Sequence, residues 1–486
     1  MMQDWANWSI ETAKLRGATY ADARVMDIRQ RDISTKNGEV GNLMESETLG
    51  IGIRVVASGA WGFASTDRLT REGVQACAAE AVAIAKASAL AKRENVTLAP
   101  EQAYVDTWQN PYLKDPFRIP VERQIGLLLA ADKEMRRVKG VTLAEGALSF
   151  RRIDQLFVSS TGSSIHQLKM QSGAGMVATS FAGSEIQKRS YPNSFGGQHT
   201  LEGFELIESL DLVGNAQRTG EEAVALHSAA QCPEGTSTII LGASQLSLQI
   251  HESIGHPIEL DRVLGQEANF AGMSFLTVDK LRKLKYGSEI VNVVADARLA
   301  HGPGLGTFAY DDEGVPAQCT PIITNGLFTG YLSNRETAAA IGETRSNGTM
   351  RTESWNRLPI IRMTNVSLNP GTWRYDDLIA DTDNAILMET NRSWSIDDRR
   401  YHFQFSTEIG WEIKNGKKTR MIKNPSYSGI TTEFWNSCDA ICSRDHWTLW
   451  GTPNCGKGQP MQTMGTGHGA SPARFRNIKV GVAFAK

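Results

Sequence analysis

Residues 235–257 read GTSTIILGASQLSLQIHESIGHP, and this stretch predicts a strand, a turn and a helix in succession. GTSTIIL is rich in β-branched and aliphatic residues, as strands are, and GAS is a turn whose Ser244 is expected to cap the following helix. Leu246, Ile250 and Ile254 recur at every fourth position, which predicts one apolar helix face packed on a core. The two histidines near the end of the stretch lie off that face, so we expect them to face a cavity.

His251, Glu252 and His256 have the composition of a hydrolytic metal site. Neutral imidazole is the commonest protein ligand of zinc, and a glutamate beside the first histidine can act as general base toward a water on the metal. The alternative is a pair of hydrogen-bonded histidines near a helix end, since short motifs of this kind also arise by chance. The strand and the amphipathic helix that precede the motif favour the metal site.

The spacing of the two histidines is unusual. In the HExxH motif they are four residues apart and share a helix face, whereas His251 and His256 are five apart. Five steps of a regular helix place the second imidazole about 140° around the axis from the first, too far to share an ion. Gly255 loosens the backbone and Pro257 disfavours helical geometry at the residue before it. We therefore predict a π-bulge, a widened or broken last turn, between Ser253 and His256.

Composition limits the classes of function. The chain has 486 residues, enough for two or three domains, and Lys plus Arg at 51 nearly balances Asp plus Glu at 53. This balance argues against nucleic acid or an anionic membrane as a partner. No apolar run resembles a signal peptide or a membrane span, so we expect a cytoplasmic protein. The six cysteines do not suggest a disulfide framework, and Cys438, Cys442 and Cys455 are candidates for the third ligand of a catalytic zinc.

The order of helical and extended segments predicts an α+β fold. We expect a mixed N-terminal α/β domain at 1–228, with helices, hairpins and a meander, and a mainly antiparallel β C-terminal domain at 229–486 that carries the metal-site helix. Asn-Gly pairs at 37–38, 325–326 and 415–416 predict hairpins. The other predicted elements are helices at 5–16, 69–92, 121–137 and 203–227, and strands at 22–31, 48–57, 60–65, 143–150, 155–160, 164–172 and 174–181.

Several short motifs follow one another along the chain. They are GIRV at 52–55, GAWGFA at 59–64, HESIGH at 251–256, DDEGVP at 311–316, ES at 353–354, RMTN at 362–365 and CGKGQ at 455–459. Together they resemble the TldD/PmbA family of metallopeptidases over essentially the whole length, and in particular the TldD-type subunit, which keeps HExxxH.

The resemblance implies a zinc-dependent metallopeptidase with one Zn²⁺ per chain. His251, His256 and Cys455 would hold the ion, and Glu252 would be the general base toward the zinc-activated water. Substrates would be short or unfolded peptides, bound in an enclosed cavity as an added strand at a sheet edge. The chain would act as a homodimer or as a heterodimer with a motif-lacking paralogue.

The remaining candidates follow from the same motifs. Asp311, Asp312 and Arg362 either line the cavity or make ordinary loop contacts. The stretch GTGHG at 465–469 is interpreted as a turn-rich rim of the active site, and its His468 lies near the CGK segment in sequence.

This chain departs from the family pattern in two places. A residue usual between Lys457 and Gly458 is missing, and Trp394, Arg399 and Arg400 occupy a segment that is often glycine-rich. Because Cys438 and Cys442 match no family ligand, we interpret both as structural.

Two other functions are compatible with the sequence. One is a non-catalytic or partner-dependent subunit of a dimeric TldD/PmbA-like complex, and the other is a regulator of another protein's folding or topology. A purely structural metal site does not need Glu252, so the presence of this residue favours the enzyme.

Overall fold

Two large β-sheets organise the chain, one built before residue 201 and the other after residue 229, in a computed structural model that describes residues 1–269 and 272–482. The fold is α+β, as the sequence predicts. Within these described ranges no helix is long and apolar enough to cross a membrane.

The first sheet has eight strands, in the order β3-β2-β1-β5-β6-β4, with β7 and β8 also paired to β6. Its strands are β1 (Tyr20–Lys36), β2 (Glu39–Ala57), β3 (Ala60–Thr66), β4 (Val105–Gln109), β5 (Val141–Ser159), β6 (Ser164–Ala182), β7 (Glu185–Tyr191) and β8 (Gln198–Thr200). Helices of the same half are α1 (Met2–Leu15), α2 (Arg71–Ser88), α3 (Val121–Arg137), α4 (Phe204–Ser209) and α5 (Leu212–Ala225).

The two faces of this sheet have different partners. Alternate residues of β1, such as Ala23 and Val25, are buried with α1 and α2 in one hydrophobic cluster. Residues of the opposite face meet the second half of the chain: Arg54 pairs with Asp22 Oδ2 at 2.7 Å and with Glu313 Oε1 at 3.1 Å. Strand alternation therefore turns one face of the sheet to the helices and the other to the half that carries the metal motif.

The prediction of four short strands between 143 and 181 is wrong in the number of strands. They merge into β5 and β6, two strands of 19 residues each. Gly173 does not break β6, because it leaves room for a neighbouring ring: a Cβ there would lie 1.8 Å from His199 Nδ1. The glycine that suggested a turn is therefore a close-packing residue inside a strand.

Two local helix predictions also need correction. The single helix predicted at 203–227 is broken at Asp211, which takes a left-handed φ of 44° and caps α5 by accepting from Gly214 N at 3.1 Å. Ser244 does not cap the helix after the turn, because Gly242 takes the N-cap position, and the Ser244 hydroxyl accepts instead from Thr390 N at 3.3 Å.

The second sheet also has eight strands, in the order β17-β10-β24-β20-β18-β19-β9, with β21 paired to β24. Its strands are β9 (Ala230–Gln231), β10 (Gly235–Leu241), β17 (Asn384–Ile396), β18 (His402–Lys414), β19 (Lys417–Lys423), β20 (Pro425–Ile430), β21 (Cys438–Ile441) and β24 (Ala473–Val482). Smaller sheets contain β11 (Val293–Asp296), β12 (Cys319–Thr324), β13 (Leu327–Phe328), β14 (Met350–Arg351), β15 (Ile360–Ile361), β16 (Val366–Leu368), β22 (Thr448–Lys457) and β23 (Gln462–Ala470). The helices are α6 (Ala243–Ile250), α7 (Leu260–Val263), α8 (Tyr375–Ala380) and α9 (Thr431–Asn436).

The three Asn-Gly hairpins are confirmed. Both central residues have positive φ in each turn, for example 48° at Asn325 and 76° at Gly326, as a two-residue turn of this type requires. Helix α6 and the turn that follows it then enter the largest hydrophobic cluster through Leu246, Ile250 and Ile254, all fully buried. The apolar face, which was predicted from residues spaced four apart, thus anchors the metal motif to the core.

Candidate metal centre

The backbone of the HExxxH motif is a π-helical turn. Helix α6 ends at Ile250, residues His251–Gly255 form a π-helix, and His256 N donates to His251 O at 3.1 Å, a bond that spans five residues. The predicted widening between Ser253 and His256 is therefore confirmed. Because the turn takes up one extra residue, the two imidazoles return to the same side, with ring centroids 4.8 Å apart.

Buried polar groups hold this widened turn. Tyr286 donates its hydroxyl to Ser253 O, and Trp435 Nε1 donates to Ser253 Oγ at 2.9 Å. Gly255 lets Met363 pack directly against the turn, because a Cβ at this position would lie 2.1 Å from Met363 Sδ. Side chains from distant segments thus stabilise the turn in addition to the local sequence.

Three potential ligand atoms converge beside the turn. Those of His251, His256 and Cys455 all lie within 4.8 Å of one another, and the three residues are buried. Cys455 Sγ is 3.6 Å from His256 Nε2. Around a tetrahedral zinc with Zn–S about 2.3 Å and Zn–N about 2.05 Å, sulfur and nitrogen are also about 3.6 Å apart, so this pair fits one ion.

His468 orients the first imidazole. Its Nδ1 donates to Val366 O at 3.0 Å, so its Nε2 is the acceptor that meets His251 Nδ1 at 2.7 Å. Burial, together with the neighbouring His251 and His256, keeps the pKa of His468 well below its usual value, which keeps the ring neutral. His251 therefore carries its proton on Nδ1 and turns Nε2 toward the other donors.

The interpretation of GTGHG as a turn-rich rim is wrong. These residues are part of strand β23, and His468 is fully buried beneath the site. The sequence did contain a signal for a strand, a period of two residues. Thr466 and His468 are two positions apart and therefore share one face of the strand, where Thr466 Oγ1 lies 3.0 Å from His468 Nε2.

Glu259 orients the second imidazole. His256 Nδ1 donates to Glu259 Oε2 at 3.1 Å, which leaves Nε2 for a metal. Burial would raise the pKa of Glu259, but Lys457, His256 and Arg262 outweigh it and hold the pKa well below its usual value. The carboxylate is therefore ionised and can only accept, which fixes the tautomer of His256.

The contacts of Lys457 explain why the CGK segment contains a lysine. Strand alternation in β22 puts it on the same side as Cys455, where it is fully buried and its Nζ lies 2.6 Å from Asp261 Oδ1. The same Nζ is 3.5 Å from Glu259 Oε1. The lysine thus ties the sulfur-bearing strand to the segment that follows the HExxxH turn.

The cysteines differ in their suitability as ligands. Burial alone would raise the pKa of Cys455, but Arg362 and His256 outweigh it, and the net pKa lies below the usual value. Burial instead raises the pKa of Cys442 to about 11 and that of Cys438 further. Because the thiolate is the metal-binding form, the local charges favour Cys455 as the ligand.

Glu252 has a partner that the sequence did not predict. Arg400 Nη1 donates to Glu252 Oε2 at 2.6 Å, and the Arg400 Nε is buried with no hydrogen-bond partner among the described residues. Arg400 follows β17 in a tight turn with φ of 64°, in which its N donates to Asp397 O at 2.8 Å. The contact fixes one carboxylate oxygen of Glu252.

The other candidates divide between the two interpretations given above. Asp311 makes loop contacts: its Oδ1 accepts from Glu313 N and Val315 N, both at 2.9 Å. Arg362 lies next to the centre, because its Nη2 donates to Cys455 O at 2.5 Å.

Two clefts lie close to the centre. One, of about 400 Å³, is lined by residues of the β22–β23 turn together with Asp261 and Phe63. The other, of about 580 Å³, is lined by Arg399 and Tyr401, the neighbours of Arg400, and by apolar side chains that include Phe275. Each cleft therefore offers space for a ligand beside a segment that contacts the centre.

Comparison with known proteins agrees with this chemistry. Residues 234–481 match the family described as PmbA/TldA metallopeptidase C-terminal domain, and residues 21–85 match PmbA/TldA metallopeptidase domain 1. A metalloprotease of Methanothermobacter thermautotrophicus is 30% identical over 462 residues, 95% of each chain, and one of Methanocaldococcus jannaschii is 28% identical over 93% of this chain and 95% of the relative. A zinc metalloprotease TldD homolog of Saccharolobus solfataricus is 26% identical over 51% of this chain and 52% of its own length.

The fold has a solved counterpart. A protein of Thermotoga maritima, named as a candidate modulator of a DNA gyrase, superposes with a TM-score of 0.79 at 16% identity and covers 99% of this chain and 100% of its own. At this identity the likeness shows the fold alone. The family matches and the full-length relatives show more: the chain belongs to the TldD/PmbA family of metallopeptidases and has metalloprotease activity, which requires a metal.

Proposed function

We propose that this chain is the TldD-type, HExxxH-bearing subunit of the family and hydrolyses short or unfolded peptides with one zinc ion per chain. The observation that carries the proposal is the convergence of His251, His256 and Cys455 around one point, with Glu252 on the same turn. Two imidazoles and one thiolate suit zinc and leave a fourth position for water or substrate.

Each side chain around the centre has a defined task. Zinc, when bound, lowers the pKa of a water molecule and polarises the scissile carbonyl. Glu252 accepts the proton from the attacking water and later passes it to the leaving amine. Arg400 holds Glu252 Oε2, which leaves the other carboxylate oxygen for the proton. One thiolate offsets part of the metal charge, so we expect a slow or selective enzyme.

The substrate would bind as an extended strand in a largely enclosed cavity. One cleft is lined by Asp261, the partner of Lys457, and the other by neighbours of Arg400, the partner of Glu252. Main-chain hydrogen bonds to a sheet edge do not depend on side-chain identity, and this mode suits unfolded peptides of varied sequence.

We also propose a dimer, formed with a second copy or with a motif-lacking paralogue. Strand β2 pairs with β3 only at 51–57, so its first part, 39–50, has a free edge among the described residues. Val40, Leu43 and Met44 are about half exposed on this segment. A free strand edge with exposed apolar side chains is typical of an association surface, and light scattering of the wild type and of Leu43→Lys tests this assignment.

The division of the chain at 228/229 is a further part of the proposal. It is supported by the two large sheets, because every strand of the first ends by Thr200 and every strand of the second begins at or after Ala230.

Substitution of Glu252 by Ala tests the catalytic assignment. The variant should bind zinc with the wild-type stoichiometry and hydrolyse an unstructured peptide at least a hundredfold more slowly, because the proton acceptor is lost while the three donors remain. Glu122→Ala, on the first turn of α3, is the matched control and should keep full activity. Turnover near the wild-type rate in Glu252→Ala would show that another group is the base.

Chelation separates the enzyme from the two alternatives. A zinc enzyme loses hydrolysis with chelator and regains it with added Zn²⁺. If purified chain, alone and mixed with its paralogue, binds no zinc and cleaves no peptide, the non-catalytic subunit or the regulator is favoured.

A further inference from the structure

Three cationic side chains meet between the two halves of the chain. Arg151 of β5 and Lys169 of β6 belong to the sheet face that is turned toward the second half, and Arg351 belongs to β14. Ile153 is directly opposite Lys169 in the β5–β6 ladder, so Arg151 is the diagonal neighbour of Lys169 on the same face. Across the gap, Arg151 Nη2 donates to Glu353 O at 2.7 Å.

Lys169 lacks a partner for its charge. Its ammonium makes no hydrogen bond or ion pair with any residue in the described part of the chain, although the side chain is only partly exposed. Burial, opposed by Asp312 and assisted by Arg351 and Arg151, lowers the pKa of Lys169 to about 8. Arg151 Nε is also buried without an acceptor among the described residues. Cations that are largely withdrawn from solvent are normally paired, so this group lacks a partner.

The nearby acidic side chains do not supply the partners that this cationic group lacks. Asp312 is the acidic group that faces both Lys169 and Arg351, and its Oδ1 already accepts from Gln155 Nε2 at 2.8 Å. Glu353 and Asp32 face Arg151, but among the described residues no carboxylate forms a salt bridge with any of the three cations. Arg351 donates instead to two carbonyls, Met363 O at 2.7 Å and Leu305 O at 3.1 Å.

The group is continuous with the metal centre. Met363, whose carbonyl binds Arg351, packs its sulfur against Gly255 of the π-turn. Arg362, the preceding residue, donates to Cys455 O. The cations thus lie about one layer of side chains away from the donor set.

We propose that Lys169, assisted by Arg151 and Arg351, is a subsite for a carboxylate of the bound peptide, either its C-terminal α-carboxylate or an acidic side chain. This inference rests on the proposed peptidase function. A carboxylate would supply the acceptors that Lys169 and Arg151 lack, through charge-assisted hydrogen bonds.

Three versions of one unstructured peptide test the proposal and identify the source of the carboxylate. The first has a free C-terminal acid, the second a C-terminal amide, and the third a C-terminal amide with one glutamine replaced by glutamate. Binding is measured by fluorescence anisotropy on zinc-loaded, full-length Glu252→Ala protein, and hydrolysis on the wild type as kcat/KM. We expect one of the two anionic peptides to bind about tenfold or more tightly than the neutral peptide.

Substitutions in the same background assign the preference to Lys169. In Lys169→Met and Lys169→Gln the preference should fall to within twofold of unity, and Lys169→Arg should retain most of it. Lys133→Met, at an exposed position of α3, is the matched control and should leave the preference unchanged.

The outcomes distinguish failure of the carboxylate subsite from failure of the proposed peptidase function. Preference for the free acid assigns the α-carboxylate, and preference for the glutamate peptide assigns an acidic side chain. Hydrolysis of all three peptides at equal kcat/KM, or a preference that persists in Lys169→Met, would overturn the subsite and leave the peptidase intact. Selective binding without any hydrolysis would support the subsite and overturn the peptidase.

Discussion

Replacement of His468 by Phe should weaken zinc binding although His468 is not one of the proposed ligands. The phenylalanine ring fills similar space but cannot accept from His251 Nδ1, whose present bond to His468 Nε2 is 2.7 Å long. His251 then keeps a buried N–H without a good acceptor and is no longer held in the tautomer that turns Nε2 toward the metal.

The structure sets the size of the effect. Loss of a partner of this kind typically lowers metal affinity by about 10- to 100-fold, or roughly 1.4 to 2.7 kcal/mol. Thr466 Oγ1 lies 3.5 Å from His251 Nδ1 and can move to accept part of the bond. We therefore expect the lower half of the range, about 10- to 30-fold.

Competition of metal-free protein against a chromophoric zinc chelator at neutral pH measures the change. His468→Gln offers a side-chain oxygen as acceptor and should lie closer to the wild type than His468→Phe. His166→Phe, at a partly exposed position of β6, is the control for loss of a histidine. A zinc affinity of His468→Phe within twofold of the wild type, in protein with unchanged circular dichroism, would refute the orienting role.

Three further predictions follow from contacts around the site and the sheets. Arg400→Ala should lower kcat about tenfold or more with KM little changed, because Glu252 loses its orientation, whereas a rise in kcat would show that Arg400 restrains the base. Lys457→Met should cost about 3–5 kcal/mol in urea unfolding with chelator present, since it leaves Asp261 buried without its cation, and a cost below about 1 kcal/mol would contradict this. Burial lowers the pKa of His199 to about 4, so its contribution to stability is complete above about pH 6.5 and is lost as the pH falls toward 4. The unfolding free energy of the wild type should therefore fall by up to about 3 kcal/mol more than that of His199→Gln over this interval, and parallel pH profiles would exclude the effect.

Features that depend on neighbouring residues could be predicted from the sequence. The five-residue spacing of the histidines, with Gly255 and Pro257, required the helix to widen, and the structure has a π-turn there. The Asn-Gly hairpins follow from left-handed geometry that these two residues adopt readily.

Contacts between residues that are far apart in the sequence could not be predicted. His468 meets His251 across 217 residues and Arg400 meets Glu252 across 148, and neither has a local signal of partnership. The glycines of β6 were misinterpreted for the same reason, since Gly173 is explained only by His199, which lies beside it in another strand. The grouping of Cys455 with the histidines came from the family resemblance rather than from spacing.

The ion pair of Lys457 with Asp261 also determines what metal binding must accomplish. It joins segments 196 residues apart, almost the same separation as the 199 residues between His256 and Cys455. The Lys457–Asp261 pair thus already holds the two segments together without the metal. Zinc binding therefore has to overcome little of the entropy cost of closing the chain between them. We expect the apoprotein to stay folded, and zinc to exchange without the two segments coming apart.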